Sequence, residues 1–317
     1  MPTFSFIIPV KPDGAVKALA PLHLVNEQEY PFEVLVAEGT RPSRQRNMAA
    51  GRSQGDILFF LDDDSLVTAD CLALCAQVLK DPAVAVVGGP SLTPDSDTRL
   101  QHLFAFALSS PFGAGAMRNR YRATGQPRET SERELILCNL AIRRDAYLKE
   151  GGLDERLYPN EENELLDRIS SSGHKLVHVP AMGVERSQRP SIRAFTRQMF
   201  TYGRGRAQQT LLAGLRSPMS LLPLMFVAYL AILPMLPSSI WWSIPLIAYV
   251  MGDLIFTAAA VISYRAPTAC FLMFIFPLMH CTNGIGLLFG FCGGKPVPKP
   301  DCDVLIRQIK EFGQTNW

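Results

Sequence analysis

Three consecutive carboxylates follow an apolar run in Leu61-Asp62-Asp63-Asp64-Ser65. Carboxylates this close repel one another unless a cation sits among them. Hard divalent ions such as Mg²⁺ or Mn²⁺ take oxygen ligands and share them with substrate phosphates. In extended chain Asp62 and Asp64 point to one side and Asp63 to the other. The run reads as a metal–diphosphate clamp through Asp62 and Asp64; the competing reading is an acidic turn leading into the next helix. A second acidic group stands far along the chain, in Asn160-Glu161-Glu162-Asn163-Glu164-Leu165. The dipole of a starting helix explains part of it. Crowding also raises carboxylate pKa values, which suits one of these acids to act as general base on a hydroxyl. A third group, Arg44-Gln45-Arg46-Asn47, opens a predicted helix. There a guanidinium fork and free amides can receive a phosphate, although a plain surface arginine fits as well.

Such groups need strands that end at them. Residues 4–10, 32–37, 56–61, 83–87, 135–143 and 175–179 read as strands, rich in Val, Ile, Leu and Phe. Between them, 43–53 reads as a helix capped by Ser43, 69–79 as one entered through Thr68, and 145–150 and 160–173 as two more. Alternating strands and helices predict an α/β domain with a mostly parallel sheet, whose ligands sit beyond the carboxyl ends of the strands. Asp62, Asp63 and Asp64 follow such an end. Residues 91–135, rich in Gly, Pro and Arg, are expected to form a long loop over the sheet, where substrate contacts often lie.

The composition, 48% hydrophobic and 19% charged, excludes a disordered chain. The net charge of +2 conceals unequal blocks. Residues 1–185 are net acidic, 186–216 hold seven arginines and no acid, and 218–292 carry only Asp253 and Arg265 as formal charges. The helix expected over 191–214 joins Arg193, Arg197, Arg204 and Arg206 to an apolar side of Phe195, Met199 and Tyr202, which suits the headgroup layer of an anionic leaflet. Three apolar stretches follow, 219–236, 240–262 and 266–291, each long enough to span a bilayer. The positive-inside rule puts the arginine block in the cytoplasm. A third crossing would send Lys295, Lys299, Arg307 and Lys310 outside, against that rule, and Pro277, His280, Asn283 and Gly284 interrupt the third stretch. The sequence leaves two or three crossings open. The expected organisation is a domain at 1–185, amphipathic juxtamembrane helices at 186–216, a membrane region at 217–292 and a polar tail at 293–317. Seven cysteines, an odd number with no CxxC, argue for a reducing compartment rather than a disulfide framework, and Cys71 and Cys75, four apart on one helix face, are expected to be core thiols. The apolar start is too short for a signal peptide. No GxGxxG, P-loop or basic–aromatic surface is present, so no nucleic-acid partner is expected.

In order and spacing, Phe6-Ile-Ile-Pro-Val10, 34–38, Arg46-Asn47, Gly55-Asp56 and Phe60-Leu-Asp-Asp-Asp64 resemble the nucleotide-binding half of family 2 glycosyltransferases. Cys138-Asn-Leu-Ala-Ile-Arg-Arg144 with Gly151-Gly-Leu-Asp-Glu155 resembles the family's acceptor-side segment, and Asn160–Leu165 with Arg168 its "ED" motif. Arg197-Gln-Met-Phe-Thr-Tyr-Gly-Arg-Gly-Arg206 is similar to the juxtamembrane segment of members that build bacterial surface polysaccharides, the succinoglycan-type enzymes among them. The resemblance spans roughly residues 4–216. It implies the GT-A fold: an α/β, Rossmann-like mixed sheet with helices on both faces, here followed by transmembrane helices. It implies a nucleotide diphosphate sugar donor, most often a UDP-sugar, a Mg²⁺ or Mn²⁺ cofactor, and an inverting transfer. Pro9, Val10 and Glu38 would line the base and ribose pocket, with Arg46, Asp62 and Asp63 also on the nucleotide-sugar. Asp64 and Asp62 would hold the metal, and Glu162 would be the base. Asn139, Arg143, Glu161, Glu164 and Arg204 would lie on the acceptor side. The acceptor would be a polyprenyl-linked saccharide in the membrane, with the catalytic domain on the cytoplasmic face of the inner membrane. The sequence departs from the family in Ala37-Glu38, where an aspartate pair is usual, in Lys11 for the usual Asn, and in Glu162 for the commoner Asp. It has no QxxRW motif, which favours single addition over processive synthesis. The rival readings are a polyprenyl-phosphate sugar synthase and a non-catalytic scaffold with this fold.

Overall fold

β1 (Phe4–Val10) is buried at all seven positions, as a strand covered on both faces must be. In this computed structural model, which describes residues 1–298, 300–314 and 317, it lies inside an eight-stranded sheet of the order β11-β2-β1-β3-β8-β5-β9-β7. Lys299 falls outside the described residues. The strands are β2 (Phe32–Glu38), β3 (Ile57–Leu61), β5 (Val84–Gly88), β7 (Arg128–Thr130), β8 (Asn139–Arg143), β9 (Lys175–His178) and β11 (Leu305–Lys310). β1 pairs in parallel with β2 and β3, whereas β8 runs antiparallel between β3 and β5. A second sheet joins β4 (Leu66–Val67), β10 (Val184–Glu185) and β6 (Ser91–Leu92).

Alternation of side chains across the strands makes two cores. Phe4, Phe6, Ile8 and Val10 pack with Ala18 and Leu22 near α1 (Leu19–Leu22) and with Cys71, Leu72 and Cys75 of α3 (Cys71–Val78). On the other face Ile7, Leu35, Leu58 and Phe60 meet α2 (Pro42–Arg52), α6 (Arg144–Lys149) and α7 (Glu161–Ser171), through Ala49, Tyr147 and Leu165. The mixed sheet with helices on both faces implied by the resemblance is the observed one, whereas the mostly parallel sheet expected from the alternation is not: β11–β2, β3–β8, β5–β8 and β7–β9 are antiparallel against three parallel pairings.

The chain forms two units. The first comprises 1–94, 119–187 and 297–317, and holds both sheets. The second comprises 95–118 and 188–296. It contains α4 (Arg99–Ser109), α5 (Pro111–Ala114), α8 (Ile192–Ala213), α9 (Leu222–Ile232), α10 (Ile240–Tyr264) and α11 (Leu272–Cys292). Helices long and apolar enough to cross a membrane run over Pro218–Met235, Ile240–Tyr264 and Pro267–Cys292. His280 is polar in an apolar helix because both ring nitrogens are used, Nδ1 with the Tyr249 hydroxyl at 2.8 Å and Nε2 with the Phe112 carbonyl at 3.0 Å.

Several local expectations need correction. Helix α2 starts at Pro42, and Ser43, instead of capping it, donates to the Leu157 carbonyl. Asp70, not Thr68, precedes α3. Residues 91–135 are not a loop: they hold β6, α4, α5, a 3-10 turn at Gly115–Tyr121 and β7. A capping box between Thr98 and Gln101 starts α4, a T-x-x-Q signal legible in the sequence. The tail is no free polar extension either, since β11 becomes the edge strand beside β2.

Candidate active site

The ends of β1, β2 and β3 bring the first group of residues to one edge. Val10 pairs with Glu38 in the register, and Ile7 with Phe60, two residues before Asp62. Gln45 ties the ends of the adjacent strands β1 and β2 by donating to the carbonyls of Val10 and Ala37. Glu38 is ion-paired with Arg307 of β11.

A chain of charges then joins the two acidic clusters. Arg186 Nε donates to Asp64 Oδ1 at 2.6 Å, and its Nη2 lies 3.1 Å from Asp62 Oδ2. Arg46 Nη2 donates to Asp62 Oδ1 at 2.6 Å, and Arg46 Nη1 lies 3.6 Å from Glu161 Oε1. Glu162 follows at the head of α7, with Arg120 Nη1 at 3.5 Å. Arg120 also donates to Asn163 Oδ1 and to the carbonyls of Glu132 and Arg133, so it fixes the 131–134 turn against α7. Asn160 enters this helix at φ 84°, a left-handed conformation that Asn tolerates better than most residues.

The electrostatics separate the acids. Burial pushes the Glu161 carboxyl up to about 8, with the neighbouring Glu162 charge adding to it and Arg46 opposing. Arg46 does not cancel the shift because it is committed at shorter range to Asp62. Asp63 is also raised, first by partial burial and then by the charges of Asp64 and Asp62. For Glu161 the sign follows from linkage. Between its ordinary value and about 8, the folded protein keeps a proton that the unfolded chain has released, so stability falls as pH rises through that window. Glu161→Gln is expected to flatten this slope, and its advantage in Tm over the wild type should grow from pH 5 to pH 8. Parallel melting curves across that range would refute the assignment.

Asp62 and Asp64 are hard oxygen donors converging on one cationic group, Arg186. Among the described residues no cluster of three or more His, Cys, Asp or Glu could hold a metal by itself. Two carboxylates suit an ion whose remaining ligands are substrate phosphates and water. The donor chemistry therefore fits Mg²⁺ or Mn²⁺.

Other expected positions lie elsewhere. Asn139 is fully buried, donating to the carbonyls of Met182 and Pro90, and is a pin between strands rather than an acceptor contact. Arg143 pairs across from Ile57, the opposite end of β3 from Asp62, and caps the carbonyls of Val84 and Leu79. Glu164 forms a two-bond ion pair with Arg168, whose other donors hold the carbonyls of Glu150 and Gly152. Arg204 is an exposed residue of α8 in the second unit. The sequence reading missed Arg186 and Arg120. Arg186 is delivered by two-residue strands too short for any periodic signal, and Arg120 has Arg118 and Arg122 as indistinguishable neighbours.

Acids gathered beyond the strand ends of an α/β sheet stand where such sheets bind their ligands. The chain belongs to the family described as glycosyl transferase family group 2, whose profile matches residues 57–288. It is 31% identical over 150 residues to the succinoglycan biosynthesis protein ExoA of Rhizobium meliloti, a match covering 44% of this chain and 44% of that protein. Its fold is similar to the mannosyltransferase PcManGT of Pyrobaculum calidifontis, solved with GDP-Man and Mn²⁺, at a TM-score of 0.55 and 14% identity, covering 92% of this chain and 87% of that one. A further solved structure, S. aureus TarS 1–349 with UDP-GlcNAc, gives a TM-score of 0.46 and 12% identity over 98% of both chains.

Proposed function

We propose that this glycosyltransferase moves a sugar from a UDP-sugar to a hydroxyl of a polyprenyl-linked saccharide, with inversion and with a divalent metal, in the synthesis of a surface polysaccharide. The work would take place at the cytoplasmic face of the inner membrane. The observation that carries the reading is Arg46, which contacts Asp62 of one acidic cluster and Glu161 of the other. Succinoglycan synthesis, named for the relative, supports the polysaccharide product.

Glu162 takes the proton from the acceptor hydroxyl. That oxygen attacks the anomeric carbon from the face opposite the diphosphate, and the carbon–oxygen bond to the β-phosphate breaks with its electron pair staying on the phosphate. Inversion follows from the opposed faces. Asp62 and Asp64 would hold the metal, which would supply positive charge against that growing on the leaving diphosphate. Arg46 faces that diphosphate and adds a fixed positive charge. Pro9, Val10 and Glu38 form the wall of the nucleoside pocket, with Asp63 beside it. Glu161 is buried behind Glu162 and positions Arg46.

Thermal shift with a panel of nucleotide-sugars tests the donor. One UDP-sugar with Mn²⁺ is expected to raise Tm by several degrees, since saturation a hundredfold above Kd stabilises by about 2.7 kcal/mol. EDTA should abolish the shift. No shift and no donor hydrolysis with any sugar in the panel would favour the non-catalytic scaffold.

A further inference from the structure

A strand lies on the same side of a membrane as the sheet it joins. β11 pairs antiparallel with β2, from Leu305 opposite Glu38 to Lys310 opposite Val34. Lys310 is fully buried, donates to the Phe32 carbonyl at 2.8 Å, pairs with Glu27 and lies 4.5 Å over the Phe32 ring. Arg44 fastens the approach to this strand through the Cys302 carbonyl and Asp301, the latter at 2.9 Å. A lysine buried with its partners is held firmly, because leaving either charge unpaired is costly. The tail thus shares one face of the bilayer with the sheets. Complete crossings between residues 188 and 296 must then be even in number. Three helices are long enough to cross, so at least one does not.

Packing inside the second unit identifies it. α8 carries Arg193, Arg197, Arg204 and Arg206. Each arginine at the centre of a bilayer costs at least about 2.5 kcal/mol, so this helix stays at the surface. α11 runs parallel beside it. Asn283 Nδ2 donates to the Met199 carbonyl at 3.2 Å. A Cβ on Gly203 would fall 2.0 Å from the Asn283 carbonyl oxygen, and one on Gly286 would fall 2.1 Å from that of Phe200. Farther on, Gly290 faces Arg204 and Ala207. The contacts advance together along both helices, so α11 keeps to the depth of α8. Its other half meets Phe112 of the excursion 95–118, through Phe276 at 5.1 Å and through the His280 ring, and the same Phe112 packs on Tyr249 and Phe256 of α10, so α8 alone fixes the depth of α11.

We propose that α11 does not cross the bilayer but lies in the leaflet on the side of the sheets, beside α8, with lipid covering its exposed Phe274, Leu288 and Phe289. A groove of about 420 Å³ between the two helices fits that setting. Its wall joins Phe200 and Ile285 to Thr196, Thr282 and the exposed Arg193 and Arg197. Lipid phosphates are the available counter-charges at such a surface. Arg265 and Lys295, which flank the segment containing α11, then share one side of the membrane with the tail. The inference rests on membrane attachment and not on the transferase chemistry.

The test is thiol labelling of the full-length protein in sealed vesicles of both orientations. Lys80→Cys on the first unit, Arg265→Cys and Lys295→Cys are made singly, treated with a membrane-impermeant maleimide and read by peptide mapping. The native Cys71, Cys75 and Cys138 are buried, and Cys270, Cys281, Cys292 and Cys302, which are not, are first replaced by Ser. Detergent-opened vesicles give each thiol's full reactivity as reference. The expected result is at least tenfold stronger labelling of all three from one face. Labelling of position 265 or position 295 from the face opposite position 80 overturns the proposal. Equal labelling from both faces in sealed vesicles also overturns it, because the protein is then not held in the membrane.

Discussion

Glu162→Gln is expected to slow sugar transfer by about 10²–10⁴-fold while nucleotide-sugar binding is retained. The amide preserves the size of the side chain and leaves an oxygen to accept from Arg120, now 3.5 Å away. What it removes is the site that takes the acceptor proton. Single-turnover transfer to a hydroxyl acceptor measures the loss, and thermal shift with the donor confirms that binding survives. A polyprenyl-phosphate synthase uses a phosphate oxygen that is already anionic and needs no base. A variant that keeps most of its transfer rate would therefore move the assignment to that reaction. Glu161→Gln supplies the contrast. Its carboxyl is 3% exposed and touches Arg46, so its loss should act through positioning and cost less than the loss of Glu162.

The strands that carry the first acidic cluster were legible because each is a short apolar run ending in a polar group. β1, β2 and β3 fall within a residue of expectation. The second acidic cluster was legible as a helix start, but the link between the clusters was not. That link is made by Arg46 and Arg186, and tertiary pairing leaves no mark on the spacing of either. Arg143 shows the reverse error. Its place in a family segment pointed to a substrate, yet antiparallel pairing carries it to the wrong end of β3, where main-chain carbonyls take its donors. β11 was missed because Leu305–Lys310, Leu-Ile-Arg-Gln-Ile-Lys, does not alternate apolar and polar residues and is only six positions long. That strand is the observation on which the proposed parity of the crossings rests.

Arg186→Ala is expected to raise the response to Mn²⁺ while weakening the metal-free protein. The guanidinium now spans Asp62 and Asp64, the two carboxylates assigned to the metal. Removing it leaves three adjacent acids, with Arg46 still on Asp62. Charge-assisted bonds of this kind contribute about 1.5–3 kcal/mol, reduced here because the partners are 22–43% exposed. A fall of about 1–2 kcal/mol in stability, or roughly 2–8 °C in Tm, follows in EDTA. A divalent ion should restore more than it gives the wild type, because it no longer competes with a tethered cation for the same oxygens. The Mn²⁺ concentration giving half of the Tm shift, without nucleotide, should drop at least fivefold. Arg186→Lys should fall between the two, since an ammonium keeps the charge but lacks the fork that reaches both carboxylates at once. If alanine lowers Tm with no change in the Mn²⁺ midpoint, Arg186 is a structural brace and the ion binds elsewhere than between Asp62 and Asp64.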